Sequence, residues 1–425
     1  MDKLEYKNII KKLKSIVTKV GDMFGETMIG KFLGKNKQVL LIRSMISNNI
    51  RQYGMIFALI VIMIFFNYQT GGVSLYPLNI SNILLQNAHI LILAVGMLIV
   101  ILTGNIDLSV GSVAAFVGAI AGIMMIRNDY HWSISVAAAL SIGLMAGAWN
   151  GFWIAYIKIP AFIVTLGGML IFRGLTLVVL KGASLGPFPD EFNSISSGFI
   201  PDIFGGDGLH ILTIVIGILF SLGYIYYAYT GRRKKQKYGF DVAPVWMTVF
   251  SSTFIIVALN LFTFTLARYR GFPNVSIILF IVIIIYAFIT TKTVIGRHVY
   301  AMGGNYEAAK LSGVKTKKVM FLIYVNMGLL AAISGLVYAA RLNAAVPKAG
   351  NLFELDAIAA AYIGGASASG GVGTVIGAII GGLVMGVINN GMSLMSLGID
   401  WQQVVKGLVL LLAVWFDIAT KNKAK

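Results

Sequence analysis

Runs of about 20 apolar residues recur along the whole of this chain, and each is long enough to cross a lipid bilayer as one helix. A backbone inside hydrocarbon must satisfy its own hydrogen bonds, which leaves helices or a closed barrel. A barrel would show short alternating strands instead of these continuous runs. Composition agrees: 58% of the 425 residues are hydrophobic and only 12% charged, and glycine, with 48 residues, suits closely packed helices. The fold class this implies is an all-α polytopic membrane bundle.

The spacing predicts spans near 53–69, 84–102, 108–126, 133–157, 161–181, 209–229, 245–266, 275–291, 319–340, 372–395 and 402–418. A shorter stretch, 356–364, reads as a half-helix. Lysine and arginine cluster in four places. Residues 1–51 hold 11 of the 34, residues 232–237 hold five, residues 292–318 hold six, and the tail after 420 holds three. The positive-inside rule places all four in the cytoplasm. With the 356–364 piece counted as a broken crossing, eleven full spans and one short piece bring both termini to the cytoplasmic side. The divisions expected are a basic N-terminal arm (1–51), a transmembrane domain (52–420) and a short cytoplasmic tail (421–425). The transmembrane domain would contain a basic insert at 230–244 and a loop at 292–318. In the arm, Ile9, Ile10, Leu13, Ile16, Val17 and Val20 recur at helical spacing among lysines, which suits a helix on an anionic leaflet or a disordered basic tail.

The net charge of +18 would suggest nucleic acid in a soluble chain, but a folded basic domain with stacking aromatics is missing, so no nucleic-acid partner is expected. The chain has no cysteine, which excludes thiol chemistry and disulfides. Its four histidines are scattered without metal-ligand spacing, so no metal site is expected. No nucleophile–base pair or metal cluster for a membrane enzyme is visible either. The loop 182–208 carries Asp190, Glu191, Asp202 and Asp207 and no cation. It is either a docking surface for a soluble partner or a polar loop kept acidic by topology.

Two apolar segments are broken by glycine. The first break runs Thr103-Gly104-Asn105-Ile106-Asp107-Leu108-Ser109-Val110-Gly111, and the second Gly364-Gly365-Ala366-Ser367-Ala368-Ser369-Gly370-Gly371. A shift of 260 positions superposes Gly104 on Gly364, Ser109 on Ser369, Gly111 on Gly371 and Gly122 on Gly382, a weak two-half repeat. Paired broken helices point to a transport pathway. Asn105, Asp107, Ser109, Ser367 and Ser369 are therefore pathway candidates, and Asp107 has a second reading as a helix cap. Trp149 and Asn150 join the candidates because sugars are held by aromatic faces and amides. Interfacial tryptophan is the competing explanation.

Between the spans ending near 291 and starting near 319, Asn305 suits an N-cap, Glu307 the positive first turn and Gly313 the terminating residue of a short helix. Such a helix either suits a groove on another protein and would carry that protein's motion into the membrane, or lies at the interface with no partner.

The phrases LTGNIDLSVGS (102–112), GAWNGFWIAYIKIPAFIVTLGGMLIFRG (147–174), AMGGNYEAAKLSGV (301–314), ELDAIAAAYIGGASASGGVGTVIGA (354–378), NNGMSL (389–394) and WQQVVKGLVLLLAVWFD (401–417) resemble the ribose/xylose-type permeases of binding-protein-dependent ABC sugar importers. YGFDVAP (238–244) and GPFPDEFNSISSGF (186–199) resemble the xylose or multiple-monosaccharide subgroup. The long N-terminal arm departs from the family. The resemblance implies a homodimeric permease in the bacterial cytoplasmic membrane, with an ATPase subunit inside and an extracytoplasmic sugar-binding protein outside. Gly304, Asn305, Glu307, Ala308, Ala309 and Gly313 would face the ATPase. The chain has no G-x-x-x-x-G-K-[ST] phosphate loop. It would be a transport subunit rather than an enzyme and would bind no cofactor itself, ATP-Mg being used by its partner. The alternative is an ion-coupled secondary sugar transporter, which also uses broken helices.

Overall fold

Helices stand over all eleven predicted spans in the computed structural model, which describes residues 54–422 apart from 207, 241 and 243. They are α1 (Gly54–Gln69), α2 (Pro77–Leu102), α3 (Val110–Gly122), α4 (Trp132–Ala155), α5 (Ala161–Leu180), the surface helix α6 (Asp190–Ser197), α7 (Ile211–Lys237), α8 (Val245–Ala267) and α9 (Val275–Lys292). There follow α10 (Val294–Gly304), α11 (Tyr306–Leu311), α12 (Thr316–Leu342), α13 (Phe353–Ile363), α14 (Val375–Leu394) and α15 (Ile399–Asn422). A π-helical turn extends α3 through Arg127. Among the described residues nine helices are long and apolar enough to cross a membrane, and α1 is a shorter apolar helix. This is a multi-pass helical membrane protein. The basic arm expected at 1–51 lies outside the described residues.

The chain divides into two compact units. One contains, among its described residues, 224–255: the end of α7, the basic insert and the start of α8. Within it Arg232 donates to the Thr248 hydroxyl at 2.9 Å, and the Arg233 guanidinium lies 5.1 Å from the Tyr229 ring centre.

The other unit holds the remaining helices. Its core is α2, apolar on every side and therefore buried on every side, with Leu91 to Val95 at 0% exposure. Hydropathy alone starts this span at 84, because Asn79, Ser81 and Asn87 break the apolar run. The helix starts seven residues earlier at Pro77, a favoured first-turn residue. Asn79 and Asn390 of α14 exchange amide hydrogen bonds at 2.8 and 2.9 Å, which satisfies both inside the bundle.

Helix α12 packs along α4, α3 and α2. The approach to α4 is set by glycines four apart, Gly143, Gly147 and Gly151. A β-carbon at Gly147 would strike the Tyr324 carbonyl, and one at Gly328 the Gly143 carbonyl. After α12 the chain doubles back: Gly350 lies against the Gly111 backbone near the start of α3. The short helix α13 follows, with Glu354 and Asp356 in its first turn at the positive end of the helix dipole.

Candidate functional site

The site is assembled from the two glycine breaks and the loop between α9 and α12. In the first break, the Thr103 hydroxyl donates to the Val100 carbonyl at 2.7 Å and helps close α2. Gly104 takes φ +76°, where a side chain is disfavoured, and turns the chain away. Asn105 donates to the Thr103 carbonyl and hydroxyl at 3.2 and 3.1 Å. One Asp107 carboxylate oxygen accepts the Ser109 backbone N–H at 2.8 Å and the Ser109 hydroxyl at 2.6 Å. Asp107 thus forms a local turn that delivers the chain into α3. Asn150 of α4 donates to the Ser109 hydroxyl at 2.8 Å, so the predicted trio Asp107, Ser109 and Asn150 is one buried network. The space beside it is too small for a water molecule. Two polar atoms nearby, the Asn150 side-chain oxygen and the Tyr324 hydroxyl, are buried with no hydrogen-bond partner. Trp149 is 50% exposed and meets Trp153 edge to face, so it does not join the trio.

The second break is a chain of tight turns. Gly365, Gly370 and Gly371 take φ of +83°, +80° and +73°. The Ser367 hydroxyl donates to Asp417 of α15 at 3.1 Å, with Ser369 3.3 Å from the Ser367 hydroxyl. The two breaks then meet: the Gly371 N–H donates to the Leu102 carbonyl at 2.9 Å. That carbonyl belongs to the last turn of α2, where helix carbonyls otherwise have no partner.

The end of α10 touches the same point. A β-carbon on Gly303 would collide with the Leu102 carbonyl and crowd Gly371. The Tyr300 hydroxyl donates to the Gly373 carbonyl at 2.6 Å. Burial raises the Tyr300 hydroxyl above the ordinary tyrosine pKa and keeps it a donor. Immediately afterwards Asn305 caps α11 as predicted, its side-chain oxygen accepting the Ala308 N–H at 2.9 Å. Gly313 takes φ +85° two residues beyond the helix. Ala309 is buried, whereas Glu307, Ala308 and Lys310 are exposed, and Glu307 and Lys310 lie 3.9 Å apart. Gly304 has open space on its side-chain face. Leu311, at 87% exposure, is an apolar side chain projecting into open space at the end of α11.

The structure adds partners that sequence patterns do not pick out. Lys406 of α15 pairs with Asp356 of α13 at 2.9 Å. Arg173 of α5 donates to the Gly350 carbonyl at 3.3 Å. Single polar residues in separate spans carry no spacing signal, so only the fold connects them. In the acidic loop, Asp202 has an architectural task. It accepts the Ile211 and Leu212 N–H groups at 2.7 and 3.2 Å and caps α7.

Residues 79–414 match the family model described as "Branched-chain amino acid transport system / permease component". The chain belongs to this permease family. This permease is 40% identical over 382 residues to the xylose transport system permease protein XylH of Escherichia coli K12, covering 89% of this chain and 94% of that one. The Haemophilus influenzae protein of the same name is 40% identical over 377 residues, covering 89% and 98%. The ribose import permease protein RbsC of Escherichia coli K12 is 34% identical over 341 residues, covering 80% and 85%. No solved structure matches the chain.

Proposed function

We propose that this permease is the membrane subunit of an ATP-driven importer of monosaccharides, xylose or a related pentose or hexose, in a bacterial cytoplasmic membrane. The relatives named for xylose and ribose transport support the sugar class. The observation that carries the mechanism is the junction of Leu102, Gly303 and Gly371, where the α10–α11 segment abuts both broken helices. A push on α11 from an ATPase subunit would reach both breaks through backbone contacts and no flexible side chain. Gly304, Asn305, Glu307, Ala308, Ala309 and Gly313, with Leu311, form or flank that ATPase-facing segment. The lysine clusters support placing it, and both termini, on the cytoplasmic side. A sugar-binding protein would deliver substrate on the opposite side, a second copy would complete the channel, and ATP-Mg would be held by the ATPase. Opening of the breaks would loosen the closed Asp107–Ser109–Asn150 network, the first part of an alternating pathway that includes Asn105, Ser367 and Ser369.

The test is reconstitution in proteoliposomes with a xylose-binding protein and the matching ATPase. Uptake that needs ATP and stops with Leu311→Asp supports the reading. Uptake by the chain alone, driven by an ion gradient, overturns it in favour of secondary transport.

A further inference from the structure

A cavity of about 840 Å³ opens beside α11. Its walls come from Thr103 and Asn105 of the first glycine break, from the α4–α5 turn, from α11 and from the segment leading into α12. Lys158, Lys310, Lys315, Lys317 and Lys318 line it against one carboxylate, Glu307. So many like charges around one space focus a positive potential that draws an anion. Lys158 sits at φ +66°, a region that residues with side chains avoid, and is held there in the turn beneath α4. The cavity is not purely polar, because Ile154, Ala161 and Met320 also line it.

A strip of rings leads away from this basic cavity. Tyr156, which lines it, packs against Phe321 at 5.6 Å and Phe152 at 6.0 Å. Phe152 packs on Trp153 at 5.4 Å, and Trp153 on Trp149 at 5.5 Å. Trp149, Phe152 and Tyr156 are 50%, 44% and 43% exposed along α4. Aromatic side chains of this kind gather where a membrane span meets the headgroup layer. Lysines at the head of an exposed aromatic strip match one ligand chemistry: a phosphodiester attached to acyl chains.

We propose that this cavity seats the headgroup of an anionic phospholipid, with its phosphate among the lysines and its acyl chains along the α4 rings. An acidic protein segment or free phosphate would answer the lysines but leave the aromatic strip without a role. The proposal needs the membrane character of the chain and not the identity of the sugar, and it shares Glu307 with the ATPase-facing segment and Asn105 with the pathway proposed above.

The experiment is native mass spectrometry of the purified full chain titrated with phosphatidylglycerol, phosphatidylcholine or inorganic phosphate. Phosphatidylglycerol should bind at least tenfold tighter than phosphatidylcholine. The pair Lys158→Gln and Lys318→Gln should weaken phosphatidylglycerol about thirtyfold while sparing phosphatidylcholine. Lys158→Arg with Lys318→Arg should keep the preference, which separates lost charge from lost fold. Phe152→Ala with Tyr156→Ala should weaken the lipid further. Equal binding of the two lipids overturns the proposal, as does a glutamine pair that binds phosphatidylglycerol normally. Inorganic phosphate binding as tightly as phosphatidylglycerol would make this a free-anion site. Loss of ATPase capture by the glutamine pair with lipid affinity intact would assign the cavity to an acidic protein surface.

Discussion

Gly303 and Gly304 are neighbours with opposite environments. Gly303→Ala would drive its new methyl into the Leu102 carbonyl and Gly371, in a place with no room to yield. The expected loss is about 1–3 kcal/mol, read as a lower unfolding temperature in detergent, together with lost uptake. Gly304→Ala meets open space, so its unfolding temperature should stay unchanged. Any effect it has on uptake would then report contact with a partner. Asp202 provides a pH test. Partial burial pushes its carboxyl upward, but the N–H groups of Leu212, Ile211 and Phe204 and the nearby His210 outweigh that and hold it below the ordinary aspartate value. A group whose folded pKa is depressed stabilises above its unfolded pKa and loses that contribution as pH falls through the folded value. Amide protection at Ile211 and Leu212 should therefore be full above about pH 4 and decline below it. In Asp202→Asn the decline should vanish. The capping role of Asn305 was legible from its position before Glu307, because capping is a local rule. The Asp107–Ser109–Asn150 network was legible only in its members, because Asn150 is 41 positions away from Ser109 and only packing brings them together.

At the scale of elements, α13 and α15 depend on a charged pair. Replacing Lys406 by Met leaves the buried Asp356 carboxylate without its ion-pair partner. This should cost on the order of 3 kcal/mol and lower the unfolding temperature. Adding Asp356→Leu should recover most of the loss. Helix α10 is fastened to the second break through Tyr300. Tyr300→Phe removes that donor and should cost about 1 kcal/mol, with uptake falling more than ATP hydrolysis if α10 transmits motion. The sequence shows helices best where they are apolar throughout, and it loses their ends where polar residues satisfy one another. The predicted start of α2 fell late for this reason, since the Asn79–Asn390 pair cannot be seen in a hydropathy average. The half-helix expected at 356–364 likewise begins earlier, at Phe353, because Glu354 and Asp356 are stabilised at its positive end.

At the scale of the whole molecule, the two glycine breaks are more than two hundred residues apart, and their likeness in sequence is faint. Their meeting at one backbone hydrogen bond was not readable from spacing. The positions of the apolar helices and the family, by contrast, were readable because hydropathy is a regional property and the quoted phrases are long. Leu311→Asp tests the assembly as a whole. The side chain touches open space, so stability should change by less than about 0.5 kcal/mol, while ATP-dependent uptake disappears in reconstituted vesicles.

The Gly371 amide is held by the terminal carbonyl of α2, so one backbone hydrogen bond joins the two discontinuous helices at that point. If the breaks line the path proposed above, that shared bond favours their moving as a pair over either moving alone by about 1 kcal/mol.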